Sequence, residues 1–328
     1  MDNYAAVVNQ MESFGIEFLP KNLPLVIDAP KRKGCGKGGK FWYWLRTFRP
    51  DAGGSFIVGR FGSYKSGDSE KVSVDWKPLG VAEAARLQAE RDAAKARSDA
   101  ARVAEAELAA MGAGDLWRVA AKQGTSPYLV RKGVTGEACR YLADGSIVVP
   151  LLRYDLPREH ALRGVQRIYP DGSKRFTTGF AKPGCAVRLG DVVPGRIVLV
   201  CEGYATGLTL RMATGNELAA YVALDAGNLA SVTTIVRANH PECRILICAD
   251  DDYLTRNHAG DLINVGRLSA RKVAKAVPGC DLLWPVFTAA TRGPKDTDFN
   301  DLHKAQGLEA VTRQLGAVLR ALRTKTNG

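Results

Sequence analysis

The most distinctive hydrophobic pattern of this chain is a pair of continuous apolar runs, each of which ends abruptly in acid. The first run begins at Ile197 and leads into Glu202, and the second begins at Ile245 and leads into Asp250, Asp251 and Asp252. Continuous rather than alternating apolar residues are typical of strands buried on both faces, as in a parallel sheet covered by helices. The two runs therefore predict two central strands whose carboxyl ends carry the acids.

This pattern is part of a regular alternation of strands and helices, which predicts an α/β fold with a parallel sheet and covering helices. The predicted strands are 197–202, 219–224, 244–249 and 281–286, and the predicted helices are 204–214, 229–239, 260–277 and 307–323. Ligand sites in open α/β sheets collect at the carboxyl ends of the strands. The acids therefore lie where a functional site is expected.

The amino-terminal third differs in character, because basic and aromatic residues are interleaved there between glycine-rich turns. Between Lys31 and Lys65, nine Lys or Arg residues accompany a single acid, Asp51, and the pattern up to residue 76 predicts three or four short antiparallel strands. The alanine-rich stretch 81–111 predicts a helix that acts as a spacer, since alanine buries little area. A second antiparallel segment follows, with strands at 147–152 and 162–168 and a turn at 170–172.

These changes divide the chain into five predicted parts. They are a small basic aromatic β module (1–80), a helical linker (81–112), a basic α+β subdomain (113–196), the α/β catalytic domain (197–306) and a carboxyl-terminal helix (307–328).

Composition narrows the class of partner. The 46 Lys and Arg residues against 34 Asp and Glu give a formal net charge of +12, which favours a polyanion, with nucleic acid first. The seven cysteines include no C-x-x-C pair, so no zinc is expected, and free thiols in apolar runs suit a reducing cytoplasm. No basic leader and no run of 18 apolar residues occurs, so we expect no association with a membrane.

Glu202, Asp250 and Asp252 are the candidate catalytic residues and cation ligands. Clustered carboxylates repel each other and lose hydration, which a divalent cation would relieve. Asp250 and Asp252 are alternate residues, so in an extended segment they point the same way and Asp251 points elsewhere. Oxygen ligands of this kind favour Mg²⁺ or Mn²⁺. The alternatives are a helix-capping acid for Glu202 and a solvated loop for residues 250–252.

Two further segments hold candidate phosphate or metal ligands, and each has a plain capping alternative. The candidates for nucleotide or phosphate binding are Gly203, Asp225, Gly227, Asn228 and Lys295, and the further candidates for metal binding are Asp298 and Asp301. The alternatives are an N-cap by Asn228 and a capping segment for a helix that begins at Phe299.

Basic residues interleaved with aromatic ones mark two candidate nucleic-acid surfaces, because the combination suits phosphate contact plus base stacking. In the hairpin 162–176 the candidates are Arg163, Arg167, Lys174 and Arg175, and in the amino-terminal module they are Lys40, Trp42, Trp44, Arg60 and Lys65. The alternatives are a solvated charged hairpin and core positions for the aromatic residues of the module.

Together these motifs resemble those of Toprim domains, a fold shared by bacterial primases, topoisomerases and some nucleases. The motifs are E-G-Y-A-T-G at 202–207, D-A-G-N-L at 225–229, A-D-D-D at 249–252 and D-T-D-F-N-D-L at 296–302. With Y-L-V-R-K-G-V at 128–134 and Q-R-I-Y-P-D-G-S-K-R-F at 166–176, the chain resembles the Toprim primases carried by plasmids, integrative elements and phages.

This resemblance implies the synthesis of short RNA primers from ribonucleoside triphosphates on single-stranded DNA, with Mg²⁺ or Mn²⁺. By position, Glu202 would orient metal or substrate, and Asp250 and Asp252 would be the metal-binding pair. Asp298 and Asp301 belong to the downstream acidic motif, and Lys174 and Arg175 match the basic motif that holds nucleotide or template. A replicative helicase is a candidate partner, although the chain itself has no G-x-x-x-x-G-K-[ST] motif.

One departure from the family concerns the amino-terminal zinc domain of replicative primases. Only Cys35 occurs in the first 130 residues, so that domain is missing or replaced, and residues 31–76 are a candidate replacement. Two other functions stay open: a Toprim nuclease that degrades DNA, and a non-catalytic single-strand-binding replication protein. The intact acids argue against the second, and the chain has little room for the separate DNA-gate domain of a topoisomerase.

Overall fold

The computed structural model describes residues 2–50, 53–64, 66–74, 81–256 and 261–324. Contacts between residues divide the chain into two compact units, residues 1–104 and 105–328. Lys65, one of the predicted DNA-binding residues, lies outside the described residues, as does the first residue of the predicted helix 260–277. The five-part division stays a prediction.

The first unit contains a four-stranded antiparallel sheet and a short helix, α1 (Tyr4–Ser13). The strands lie in chain order: β1 (Lys33–Cys35), β2 (Phe41–Phe48), β3 (Phe56–Ser63) and β4 (Ser69–Lys71). Successive residues of a strand point to opposite faces and alternate residues to the same face, so Phe41 and Tyr43 share a core with Met11 of α1. Gly59 is needed in β3 because a Cβ there would come within 2.2 Å of the Trp44 carbonyl oxygen.

Helix α2 (Val81–Val119) extends beyond the predicted end at residue 111. Its last turns are held by packing: Ala113 is buried with Val148 and Val165, and Trp117 lies against the same cluster. These last turns lie beyond the stretch 81–111 predicted as a spacer and are a core element of the second unit, whereas the spacer role of 81–111 stays a prediction. Alanine suits this position because its small side chain lets the helix approach the sheet closely.

The second unit is built on one mixed sheet of nine strands. The strands are β5 (Arg140–Tyr141), β6 (Ile147–Arg153), β7 (Leu162–Ile168), β8 (Lys174–Phe176), β9 (Cys185–Leu189), β10 (Val198–Cys201), β11 (Ala220–Val222), β12 (Ile245–Cys248) and β13 (Cys280–Leu283). Their order is β13-β12-β10-β11-β9-β6-β7-β8, with β5 beside β6. The four strands from β13 to β11 are parallel, and β9 pairs antiparallel with both β11 and β6.

Helices cover both faces of the parallel part of the sheet, as the continuous apolar runs predicted. The helices are α3 (Pro127–Lys132), α4 (Tyr204–Ala213), α5 (Leu229–Asn239), α6 (Val265–Ala276), α7 (Phe299–Gln306) and α8 (Leu308–Thr324). On one face Leu199 of β10 shares a core with α4, α7 and α8, and on the other Val200 shares a core with α5 and α6. The predicted α/β fold with a parallel sheet is confirmed. No helix within the described ranges is long and apolar enough to cross a membrane.

Candidate metal and nucleotide site

The acidic site lies at the carboxyl edge of the parallel strands. Strands β10 and β12 are neighbours, with Cys201 opposite Cys248. Glu202 follows Cys201 directly, and Asp250 follows Cys248 after one residue. Because parallel strands end at the same edge, the sheet itself brings the two acids together. The predicted proximity of the two acidic motifs is thus a direct consequence of strand register.

Glu202 is buried and Asp250 is half-buried, and neither has full hydrogen bonding. Glu202 is 8% exposed, and Glu202 Oε1 and Asp250 Oδ1 are buried oxygens without a hydrogen-bond partner. Burial raises the pKa of Glu202 to about 7, with additional contributions from the charges of Asp252 and Asp225. The pKa of Asp250 is raised well above its usual value, first by burial and then by the charges of Glu202 and Asp298. These groups repel one another in the absence of a counter-charge.

Asp252 is fixed by the start of α6. Its Oδ2 accepts a hydrogen bond of 2.9 Å from the Gly266 backbone N–H, which places a carboxylate at the positive end of the helix. Gly266 is needed there because a Cβ would come within 2.4 Å of the Asp250 carbonyl oxygen. The close approach of α6 therefore orients Asp252 toward the same edge as Asp250.

Asp298 and Asp301 form the amino-terminal cap of α7, as the capping alternative predicted. Asp298 Oδ1 accepts from the Asp301 backbone N–H at 2.8 Å, and Asp301 Oδ2 accepts from the Thr297 backbone N–H at 3.0 Å. Thr206 Oγ1 of α4 donates to Asp298 Oδ2 at 3.0 Å. The cap and a role at the site are compatible, because the charge of Asp298 contributes to the raised pKa of both Asp250 and Asp301.

Unlike its two neighbours, Asp251 forms buried ion pairs with arginines. It is 2% exposed, and its carboxylate pairs with Arg267 Nε at 2.8 Å and Arg292 at 2.9 Å. Asn264 Nδ2 also donates to it at 2.5 Å, and its backbone N–H donates to the Thr297 carbonyl oxygen at 2.7 Å. Asp251 therefore points away from the acidic cluster, and it clamps the segment 250–252 to the segment that leads into α7.

Two lysines face the acids from the basic half of the sheet. Lys174 is exposed, and its pKa is lowered first by partial loss of hydration and then by the charge of Lys132, while Asp298 and Asp250 oppose the change. Lys132 lies 3.7 Å from Asp301 Oδ1. Lys132 was not predicted as a site residue, although it lies in the motif 128–134. Arg175 is exposed, with its guanidinium 5.8 Å from the centre of the Tyr169 ring.

In the segment 225–228, the side chains of Asp225 and Asn228 already bond to other parts of the protein. Asn228 is 2% exposed, and its side chain bonds to the backbone of Gly184, Cys185 and Ala223. Asp225 pairs with Lys182, a residue not predicted for the site. Gly227 is exposed, and so is Lys295. Gly203 has an extended backbone rather than a sharp turn. Glycine is favoured there because a Cβ would lie only 2.9 Å from Thr206 Oγ1.

The predicted DNA-binding arginines of the hairpin are partly engaged in ion pairs. Arg163 forms two hydrogen bonds to the carboxylate of Glu107, at 2.5 and 3.2 Å, and Arg167 pairs with Asp144. In the first unit, Lys40 and Arg60 are exposed, Trp44 is half-buried and Trp42 is 7% exposed. The assignment of all these residues to nucleic-acid binding stays a prediction.

The residues at the acidic edge fit a divalent cation of the Mg²⁺ type. Two buried carboxylate oxygens have no hydrogen-bond partner, and every potential ligand there is an oxygen. Among the described residues, no three acidic, His or Cys side chains already converge as a complete ligand set. A bound cation would therefore take water or substrate oxygens as further ligands, which Mg²⁺ commonly does.

The part of the chain that holds the parallel strands, the acids at their carboxyl edge and the acidic cap of α7 is similar to a known domain family. Residues 197–309 match the family model described as Toprim domain, and Toprim domains bind divalent cations. The predicted Toprim fold is confirmed by this match.

The chain is also similar to plasmid-type primases. It is 30% identical over 251 residues to one Escherichia coli protein named DNA primase TraC, covering 72% of this chain and 17% of the relative. It is 31% identical over 290 residues to a second E. coli protein of the same name, covering 84% and 26%. The predicted resemblance to Toprim primases of the plasmid type is confirmed, and the chain spans about a quarter or less of these curated relatives.

A weaker likeness is to the primase fragment of the bacteriophage T7 primase-helicase protein. The TM-score is 0.42 at 13% identity, and the match covers 59% of this chain and 74% of that one. A likeness of this size does not bear on function.

Proposed function

We propose that this chain is a DNA primase that joins ribonucleotides into short primers on single-stranded DNA. The observation that carries the proposal is the pair of buried, unpartnered carboxylate oxygens of Glu202 and Asp250. Lys132 lies 3.7 Å from Asp301 of the same acidic cluster, and Lys174 lies close enough to Asp250 and Asp298 for their charges to act on it. The similarity to two proteins named DNA primase supports it. Acids beside lysines suit a reaction that needs both a cation and a triphosphate.

We assign Mg²⁺ or Mn²⁺ to the acids, with Glu202, Asp250 and Asp252 as the central ligands and Asp298 and Asp301 behind them. Carboxylate oxygens favour these hard cations over zinc. When bound, such cations would activate the primer 3′-hydroxyl and neutralise charge on the triphosphate and the leaving pyrophosphate.

The chain's own residues supply binding and orientation. Lys174 and Lys132 would hold triphosphate oxygens, because both are cations near the acidic cluster and Lys174 is exposed and accessible to a substrate. The Asp251 clamp and the α7 cap would hold the acids in place before substrate arrives. Single-stranded DNA and ribonucleoside triphosphates are the proposed partners, and a replicative helicase stays a prediction from the resemblance.

The test is incorporation of labelled ribonucleotides on single-stranded DNA with Mg²⁺, run beside Asp252→Ala and beside a nuclease assay with labelled DNA. We expect RNA products from the natural chain and none from the variant. DNA degradation without ribonucleotide incorporation would replace the proposal with the nuclease alternative.

A further inference from the structure

The small sheet of the first unit has two chemically different faces. Residues opposite each other in an antiparallel pair lie on the same face, and successive residues of one strand lie on opposite faces. Tyr43, Phe61 and Glu70 share one row, and the first two pack into the core against α1. The other face, which we name the outer face, carries Trp42, Trp44, Arg46, Arg60 and Lys71, with Lys40 and Tyr64 just beyond the ends of β2 and β3. At the opposite end of this face Phe48 and Val58 are buried against Val74, so that end is not open to a ligand.

The outer face concentrates positive charge. Arg60 lies directly opposite Trp44 on one side and Lys71 on the other, so two cations are cross-strand neighbours. Like charges in this arrangement destabilise a sheet unless a counter-charge neutralises them. Among the described strand residues of this face no acid occurs, since the acid of β4, Glu70, belongs to the core face. The arrangement favours an anionic ligand.

The aromatic residues of the outer face differ in what they can offer a ligand. Trp42 is 7% exposed, and the Arg32 guanidinium lies 4.0 Å from its ring centre, so the Trp42 ring offers a ligand little accessible area. The Trp44 ring is held by a 3.1 Å hydrogen bond from its Nε1 to the Ala29 carbonyl oxygen. Tyr64 is 56% exposed, and its ring centre lies 6.5 Å from that of Trp42. Tyr64 is therefore the ring that a base can reach.

We infer that the outer face binds single-stranded nucleic acid, with Arg60 and Lys71 contacting phosphates and Tyr64 stacking on a base. Cations beside an accessible aromatic ring are the combination that single strands require, because unpaired bases expose their π-faces. Binding of DNA by the outer face does not involve the acidic site, so the first unit would hold a single strand whether or not the acids perform synthesis.

The test measures the affinity of the full chain for fluorescein-labelled oligo-dT by anisotropy, without nucleotides and with EDTA, over a range of salt concentrations. The variant is Arg60→Glu with Lys71→Glu. The matched control is Lys21→Glu with Lys33→Glu, which makes the same charge change at two exposed lysines, one of them on a core-face position of β1. Thermal melting checks that each variant is folded.

We expect the outer-face variant to bind at least about tenfold more weakly at 100 mM salt. The slope of log affinity against log salt should also fall by about 1.4, or about 0.7 for each lost phosphate contact. The control should weaken binding much less than the outer-face variant, because it makes the same change in net charge away from that face. Equal affinity and equal salt slopes for the two variants would overturn the inference and leave an acidic protein as the partner that the surface fits.

A second pair of variants tests stacking without a change in charge. Tyr64→Ala should weaken binding by about 5- to 150-fold, whereas Tyr64→Phe should retain most of the affinity because the ring is kept. Unchanged binding by Tyr64→Ala would show that the ring does not contact DNA.

Discussion

Substitution of Asp251 by Asn should destabilise the protein far more than the same substitution of its neighbour Asp250. The Asp251 carboxylate is buried between the guanidinium groups of Arg267 and Arg292, at 2.8 and 2.9 Å. An Asn side chain has nearly the same shape, but it cannot neutralise two cations. Asp250 lies in the opposite situation, since its charge is repelled by the acids around it.

The magnitude follows from the burial of the ion pairs. Removing one partner of a buried pair costs about 3–5 kcal/mol, because a desolvated charge is left uncompensated. For a unit of this size, each kcal/mol lowers the melting temperature by about 2–4 °C, so Asp251→Asn should lower it by about 6–20 °C. Asp250→Asn removes a repelled charge and should leave the melting temperature of the metal-free protein unchanged or raised.

The assay is thermal or urea unfolding of the two variants at pH 8 in EDTA, so that no cation compensates the acids. A loss below about 1 kcal/mol for Asp251→Asn would show that solvent already screens the two arginines, as it does for surface pairs. An equal loss of unfolding free energy for Asp250→Asn would refute the distinction between Asp251, a buried partner of two arginines, and Asp250, a carboxylate repelled by its neighbours.

Four further predictions concern the site and the basic surfaces. Asp252→Ala should abolish ribonucleotide incorporation while its far-UV circular dichroism spectrum stays native. An acid with a raised folded-state pKa contributes stability that is complete below its ordinary pKa and is lost as pH rises through the raised value. The metal-free melting temperature should therefore fall as pH increases through about 7, the pKa of Glu202, and Mg²⁺ should raise it more at pH 8 than at pH 5. Neutral residues in place of Lys174 and Arg175 should weaken triphosphate or template binding, with a smaller salt slope by anisotropy or calorimetry. A fragment that begins at Glu105 should fold and keep its response to Mg²⁺, but it should prime poorly at low template concentration.

Each of these predictions has a result that contradicts it. Near-normal synthesis by Asp252→Ala would remove the acidic edge from the reaction. A flat pH profile of the metal-free melting temperature would mean that Glu202 is better hydrated than its burial indicates. Normal binding at every salt concentration by the Lys174 and Arg175 variant would make the hairpin a solvated surface. Equal template affinity of fragment and full chain would give the first unit another role.

The sequence predicted the parallel strands and the acids at their ends because continuous apolar runs and abrupt acidic ends are local signals. It could not assign Asp251 its two arginines, since Arg267 and Arg292 come from distant segments and three consecutive aspartates look alike in a sequence. Lys132 was missed for the same reason: its position depends on how α3 meets α7. The end of α2 was misplaced because alanine gives no sign of whether it packs against a sheet.

The position of β9 limits which segments can be exchanged between related chains. It hydrogen-bonds to β11 of the acidic half and to β6 of the basic half, so both halves belong to one continuous sheet. A chimaera joined between them near residue 196 would place two independently evolved edges side by side, and their hydrogen-bond register and side-chain packing would have to agree by chance. A graft that takes residues 105–324 as a single piece keeps the matched edges together.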